Sequence, residues 1–154
     1  VLSAPGLADC IPRWKHVLAP ALDRVVPGLR LGNSVSRDQL AADPAQSFAY
    51  GDDPLVEERS TVHLGAVSFA AQDRVRELVA GLGRLPVPTL VVHGGADPLV
   101  PTASSEPLGR LPGVRRIVYP GLRHEVHNER GSPVVVDVAG WLRENVAVLE
   151  SGHN

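Results

Sequence analysis

Two short segments carry the residue types from which a nucleophilic enzyme builds its base. "HGGADPLV" (93–100) puts Asp97 just past the aliphatic run "PTLVV", and "YPGLRHEVHNE" (119–129) puts His124 just past a second run, "VRRIVY". A carboxylate bonded to one imidazole nitrogen fixes the tautomer and stabilises the imidazolium. The other nitrogen is then free to take a proton from a hydroxyl. General acid–base catalysis of this kind contributes roughly 10²–10⁴-fold in rate. Singly, the two residues have blander readings. An Asp after Gly-Gly is often a turn former, and a His in a polar loop is often solvated. Their joint placement, each at the end of a strand, favours the catalytic reading.

The elements around them are those of a parallel sheet. From Ser60 to Leu82 the apolar positions Leu64, Val67, Ala71, Val75, Leu78 and Leu82 recur at helical spacing, and Gly81 and Gly83 end that helix. The strand "PTLVV", a helix over 103–111, the strand "VRRIVY" and a final helix from "SPVVVDV" follow in turn. Ser132 is the N-cap of the last helix, and Val135, Val138, Trp141, Leu142 and Val146 form its buried face. Alternating helices and strands signal crossover connections, and continuous apolar runs signal strands buried on both faces. In such sheets ligands gather beyond the carboxyl ends of the strands, where Asp97 and His124 both lie. Neighbouring strands are about 4.8 Å apart, so the two side chains can meet.

The first half reads differently. "VLSAPG" is the end of a buried strand and a turn. Residues 11–29 place Ile11, Trp14, Leu18, Leu22, Val25 and Leu29 on one helical face, with Pro20 expected to kink the helix or split it. That face is expected to meet the core rather than lipid. Residues 30–59 read as short helices at "SRDQL" and "DPAQSFAY", the second capped by Asp43.

Other candidates are weaker. "HEVH" (124–127) is one residue short of the H-E-x-x-H zinc helix and lies in a loop. His93 is read as structural. His16 and His63 lie on helical stretches without an evident partner. Cys10 has no basic neighbour to activate it and is read as a packing residue.

Composition bounds the remaining choices. The chain of 154 residues is 44% hydrophobic and 21% charged, enough for one domain with its own core. A net charge of −2 gives no footing for a nucleic-acid partner. One cysteine excludes an intrachain disulfide. No apolar stretch approaches the roughly 20 residues of a membrane span. No basic n-region followed by an apolar h-region opens the sequence, so a cytoplasmic location is expected.

These residues resemble the α/β-hydrolases, and within them the monoacylglycerol lipase-like serine hydrolases. "PTLVVHGGADPLV" looks like that family's acid-bearing strand and turn, and "YPGLRHEVHNE" its histidine loop. "VLSAPGL" resembles the segment leaving the sixth strand, and "SRDQLAADPAQSFAYGDDPLV" the return segment of a helical cap. The resemblance covers residues 1 to about 148. It implies the C-terminal half of an α/β-hydrolase fold: a short parallel sheet flanked by helices, with a helical cap inserted. Residues 1–7 and 76–150 would be the partial core and 8–75 the cap. The sixth, seventh and eighth strands would be adjacent, leaving the sixth with an open apolar edge.

The resemblance further implies a carboxylic-ester hydrolase in which Asp97 orients His124, His124 is the base, and Val100 lines an apolar acyl pocket under the cap. The family's nucleophile is a Ser in G-x-S-x-G. That string is absent here. "GNSVS" (32–36) lacks the second Gly and follows no strand. Nucleophile and oxyanion hole are therefore expected outside this chain. No metal or cofactor is implied. The implied partners are a lipid-like ester, an N-terminal half or a second copy docked at the open edge, and a membrane surface met by the cap. Two alternatives remain: a truncated, non-catalytic remnant or binding module, and a relative that uses an Asp nucleophile.

Overall fold

The computed structural model describes residues 1–32, 35–45 and 53–151. Three strands, β1 (Leu2–Ser3), β4 (Thr89–Gly94) and β5 (Val114–Tyr119), form a parallel sheet in the order β1-β4-β5. Leu2 pairs with Val91 in register, and Thr89 to Gly94 pair with Val114 to Tyr119. The three strands expected to be adjacent are adjacent. The structure is that of a partial α/β-hydrolase fold.

β4 is the centre of the molecule, and all six of its residues are buried. Successive strand side chains point to opposite faces, so one run serves two cores. Leu90 and Val92 pack with Tyr119, Val126 and Val134 on one face. Val91 packs with Leu7, Val79 and Leu108 on the other. β5 departs from the expectation of burial on both faces. Only Tyr119 is fully buried, because β5 borders the sheet and carries Arg115 and Arg116. β1 is the opposite border, with Val1 and Leu2 exposed.

The flanking helices follow the sequence with adjustments. α3 (Val62–Gly81) is the long helix expected from Ser60 to Leu82, and its N-cap Thr61 accepts a hydrogen bond from the Leu64 N–H. Val79, near its end, joins the core. The helix expected over 103–111 is instead a 3₁₀ turn, Thr102–Ser105, running into the one-turn α4 (Glu106–Gly109). Gly109 closes it against the Arg116 side chain. α5 (Val134–Ser151) begins where Ser132 Oγ accepts from the Val134 N–H. Its inner face is Val134, Val138 and Trp141, while Val135 and Leu142 are exposed, a rotation of the expected stripe. The Val146 side chain and residues 152–154 of the terminal "SGHN" lie outside the described residues.

The segment between β1 and α3 forms a separate layer. α1 (Arg13–Val25) runs unbroken through Pro20, and its His16 ring stacks on Phe69 of α3 at 3.8 Å between centroids. Contrary to expectation, α1 buries none of its residues: Trp14 is 61% and Val17 79% exposed. Its apolar side instead borders a cavity of about 210 Å³ lined by Trp14, Leu18, Leu22, Leu31 and Phe69. An antiparallel pair, β2 (Arg30–Gly32) with β3 (Arg59–Thr61), stands where only helices were expected. α2 (Arg37–Leu40) is the "SRDQL" helix, closed by a capping box between Ser36 and Gln39. Asp43 accepts from the Ala45 N–H as a cap, but residues 46–50 of "DPAQSFAY", like Asn33 and Ser34 of "GNSVS", lie outside the described residues.

Tyr119 supplies a pH test of this packing. Its hydroxyl donates to Asp137 Oδ2 at 2.9 Å, tying β5 to α5. Burial, reinforced by the Asp137 bond and charge, pushes the phenol from 10.0 up to about 12. A group whose folded pKa is raised contributes stability below its unfolded pKa, and that contribution is lost as pH rises through the folded one. Urea midpoints should therefore fall between pH 10 and pH 12, and Tyr119→Phe should flatten that fall. Parallel midpoint curves for the two proteins would contradict it.

Candidate active site

Beyond the carboxyl ends of β4 and β5 the two loops are laced together. The Gly95 N–H donates to Tyr119 O at 2.7 Å and the Ala96 N–H to Leu122 O at 2.9 Å. The Gly-Gly pair permits this closeness. A Cβ on Gly94 would lie 2.0 Å from the Arg123 carbonyl oxygen, and one on Gly95 would lie 3.0 Å from that of Tyr119.

Asp97 is held inside the first loop with its side chain fully buried. Its Oδ1 accepts from the Leu99 and Val100 N–H groups at 2.9 and 3.0 Å. Its Oδ2 lies 2.8 Å from His124 Nδ1. The carboxylate only accepts, so Nδ1 carries the proton and Nε2 is left with its lone pair. The His124 side chain is 30% exposed, open enough to reach another group. The sequence-predicted pair is thus brought together. Val100 enters through its backbone, its N–H on Asp97 and its carbonyl 3.0 Å from His93 Nε2.

His93, read as structural, is fully buried beside the pair. Its Nε2 faces the Val100 carbonyl and is 3.5 Å from Asp97 Oδ2, so Nε2 carries the hydrogen. Its Nδ1 is 2.9 Å from Ser105 Oγ, which accepts from Arg116 Nε at 2.7 Å. Ser105, His93 and Asp97 therefore form a string of triad composition. Ser105 is fully buried and cannot meet a substrate, so the string is a brace under the acid loop. It was not legible in the sequence, because nothing local marks "SS" at 104–105 as a partner for His93.

Two further residues act on the histidine loop. Glu129 is buried, and its Oε1 accepts from the Ala42 N–H at 2.7 Å. The Arg123 guanidinium donates to the carbonyls of Asp38 and Ala41. The carboxyl of Asp38 is itself held below its usual range, chiefly by the Ser36 hydroxyl. Of the histidines expected to lack partners, His16 meets Asp9 at 3.2 Å and His63 meets Asp23 at 2.9 Å. Among the described residues, no three side chains of metal-ligating type come together. Among them, no helix is long and apolar enough to cross a membrane.

A central parallel strand ending in a buried acid, with a histidine on the next strand's loop, defines the class: this is part of an α/β-hydrolase. Residues 1–131 match the family model described as serine aminopeptidase, S33, and the chain belongs to that family. It is similar to a monoacylglycerol lipase of Mycolicibacterium smegmatis, 34% identical over 156 residues, which cover 92% of this chain and 52% of the relative. The crystal structure of a Paleococcus ferrophilus monoacylglycerol lipase superposes with a TM-score of 0.82 at 27% identity, over 93% of this chain and 57% of that one. A soluble variant of the monoglyceride lipase of Saccharomyces cerevisiae, solved with a substrate analog, shares the fold. Its TM-score is 0.76 at 20% identity, over 93% of this chain and 54% of that one. The chain spans about half the length of these relatives.

Proposed function

We propose that this chain supplies the acid and the base of a Ser-His-Asp carboxylic-ester hydrolase of the monoacylglycerol lipase or lysophospholipase kind. The supporting observation is the 2.8 Å contact between Asp97 Oδ2 and His124 Nδ1 at the ends of adjacent parallel strands. The serine and the oxyanion hole come from residues outside this chain. The serine oxygen attacks the acyl carbonyl as His124 Nε2 takes its proton. The tetrahedral intermediate then collapses, and His124 returns that proton to the departing alcohol. Water, deprotonated by the same nitrogen, next attacks the acyl-enzyme, and the carboxylic acid leaves with the serine hydroxyl restored. Asp97 keeps His124 in the tautomer that these transfers need. No metal or cofactor takes part.

Residues 8–75 form the cap over an apolar acyl pocket, with Val100 on its wall and a lipid-like ester as substrate. The exposed Trp14 and Val17 of α1 are the cap's contact with a membrane surface, from the cytoplasm. The absence of G-x-S-x-G favours one second reading, a non-catalytic chain that docks an N-terminal half or another copy along the open edge of β1.

One experiment separates these. Hydrolysis of a short p-nitrophenyl ester is measured with the chain alone, then mixed with a polypeptide bearing the family's G-x-S-x-G elbow and oxyanion loop. Activity only on mixing, abolished by His124→Ala, is the expected outcome. A mixture that forms a complex and stays silent favours the docking reading. Activity of the chain alone overturns the assignment of the nucleophile.

A further inference from the structure

Both residues flanking His124 are held through the segment 38–43 rather than through the sheet. On one side, the Arg123 N–H points at Glu129 Oε1 at 3.4 Å, and the same carboxylate accepts from Ala42 N at 2.7 Å and Asp43 N at 3.2 Å. On the other side, the Glu125 N–H donates to Leu40 O at 2.8 Å. Glu129 is only 8% exposed, and Leu40 and Ala41, which it helps to seat, are buried. All three donors precede Glu129 in the chain, Asp43 and Ala42 by 86 and 87 positions and Arg123 by only six.

A carboxylate suits this junction. It offers acceptors on both oxygens and has no hydrogen of its own to set against three converging N–H groups. A glutamine of the same shape keeps one accepting oxygen, but its amide nitrogen then faces an N–H donor. A buried donor left without an acceptor carries the full cost of its lost hydration.

We propose that Glu129 is a positioning residue whose buried carboxylate clasps the return segment 38–43 to the backbone beside His124, so that the seat of the base depends on that segment. The proposal rests on reading His124 as the base, but its test does not depend on ester hydrolysis. Displacement of 38–43 moves the backbone on both sides of His124 and stretches the bond to Asp97. Asp97 itself stays fixed by its own loop, through Leu99, Val100 and the His93 brace.

The test uses the 154-residue chain and its Glu129→Gln and Glu129→Ala variants. Hydrogen–deuterium exchange is followed by mass spectrometry, and the His124 Nδ1 proton by NMR. Exchange in peptides covering 38–43 and 122–126 should quicken by about tenfold or more, as expected for losing hydrogen bonds to a buried charge. The Nδ1 proton resonance should broaden or vanish, more so in Glu129→Ala, while β4 and β5 keep their protection. An unaltered His124 resonance would overturn the proposal. So would exchange rising equally in β4 and β5, which makes Glu129 a residue of general stability. If neither variant folds, Arg123→Met carries the test, since it removes the guanidinium contacts to the Asp38 and Ala41 carbonyls and spares the carboxylate. Loosened 38–43 peptides beside an unchanged His124 resonance would then count against the coupling.

Discussion

Asp97→Asn will lower kcat of the reconstituted hydrolase by about 10⁴-fold and leave its fold intact, by analogy with other triads in which the acid is made neutral. The geometry supplies the reason. An asparagine oxygen can still accept from the Leu99 and Val100 N–H groups, so the loop is kept. The amide nitrogen then faces His124 Nδ1, where the Oδ2 acceptor stood. A donor there forces the proton onto Nε2, the atom that must receive one from serine. KM should change little, because neither group binds the acyl chain. The check is steady-state hydrolysis together with a thermal midpoint. Activity within about tenfold of the parent, at an unchanged midpoint, would mean that another group orients the base.

Gly94→Ala should disable the same site from underneath. The added Cβ would sit 2.0 Å from Arg123 O, 2.5 Å from Leu122 O and 2.8 Å from Arg123 C. All three are backbone atoms, so the strain cannot be relieved by turning a side chain. Either β4 shifts inside a core where Leu90, Val91 and Val92 are essentially inaccessible, or the histidine loop retreats. Retreat carries His124 off Asp97, and misplacement by about 1 Å costs roughly 10²-fold in rate. Overpacking of this kind typically costs about 1–3 kcal/mol, and a backbone clash belongs at the top of that range. Gly94 has no positive φ, so the effect is one of space alone. Urea denaturation and hydrolysis measured on the same preparations check it. A variant with unchanged midpoint and unchanged activity would show that the two loops part freely.

The legibility of the sequence follows the range of the forces involved. β4 was plain because "TLVV" is continuous and ends in Gly-Gly, a local signal. Asp97 and His124 were legible as soon as their strands were, since a parallel sheet dictates where its strand-end loops gather. The stripe of α1 was equally plain, but amphipathic spacing says only that a helix has an apolar side. Whether that side meets a core or an open groove depends on what packs against it, and here α3 and β2 leave a cavity. β2 and β3 are three residues each, too short for alternation to register, and they pair across 27 to 31 positions. The brace of Ser105 and Arg116 on His93 and the clasp of Glu129 on Ala42 are contacts distant in sequence. No periodicity announces them.

α3 is also a lever. Its 20 residues span about 30 Å at the usual rise. One end is wedged by Val79 among Leu7, Val91 and Leu108, and the other carries Thr61, β3 and the wall of the α1 groove. A pivot of only about 5° at the wedged end would swing the far end through roughly 2.6 Å over that length. That is close to the width of a water molecule. Because the His16 ring of α1 stacks on Phe69 and Asp23 meets His63, α1 would ride with that far end, so the groove would travel over the core as one piece with its shape kept.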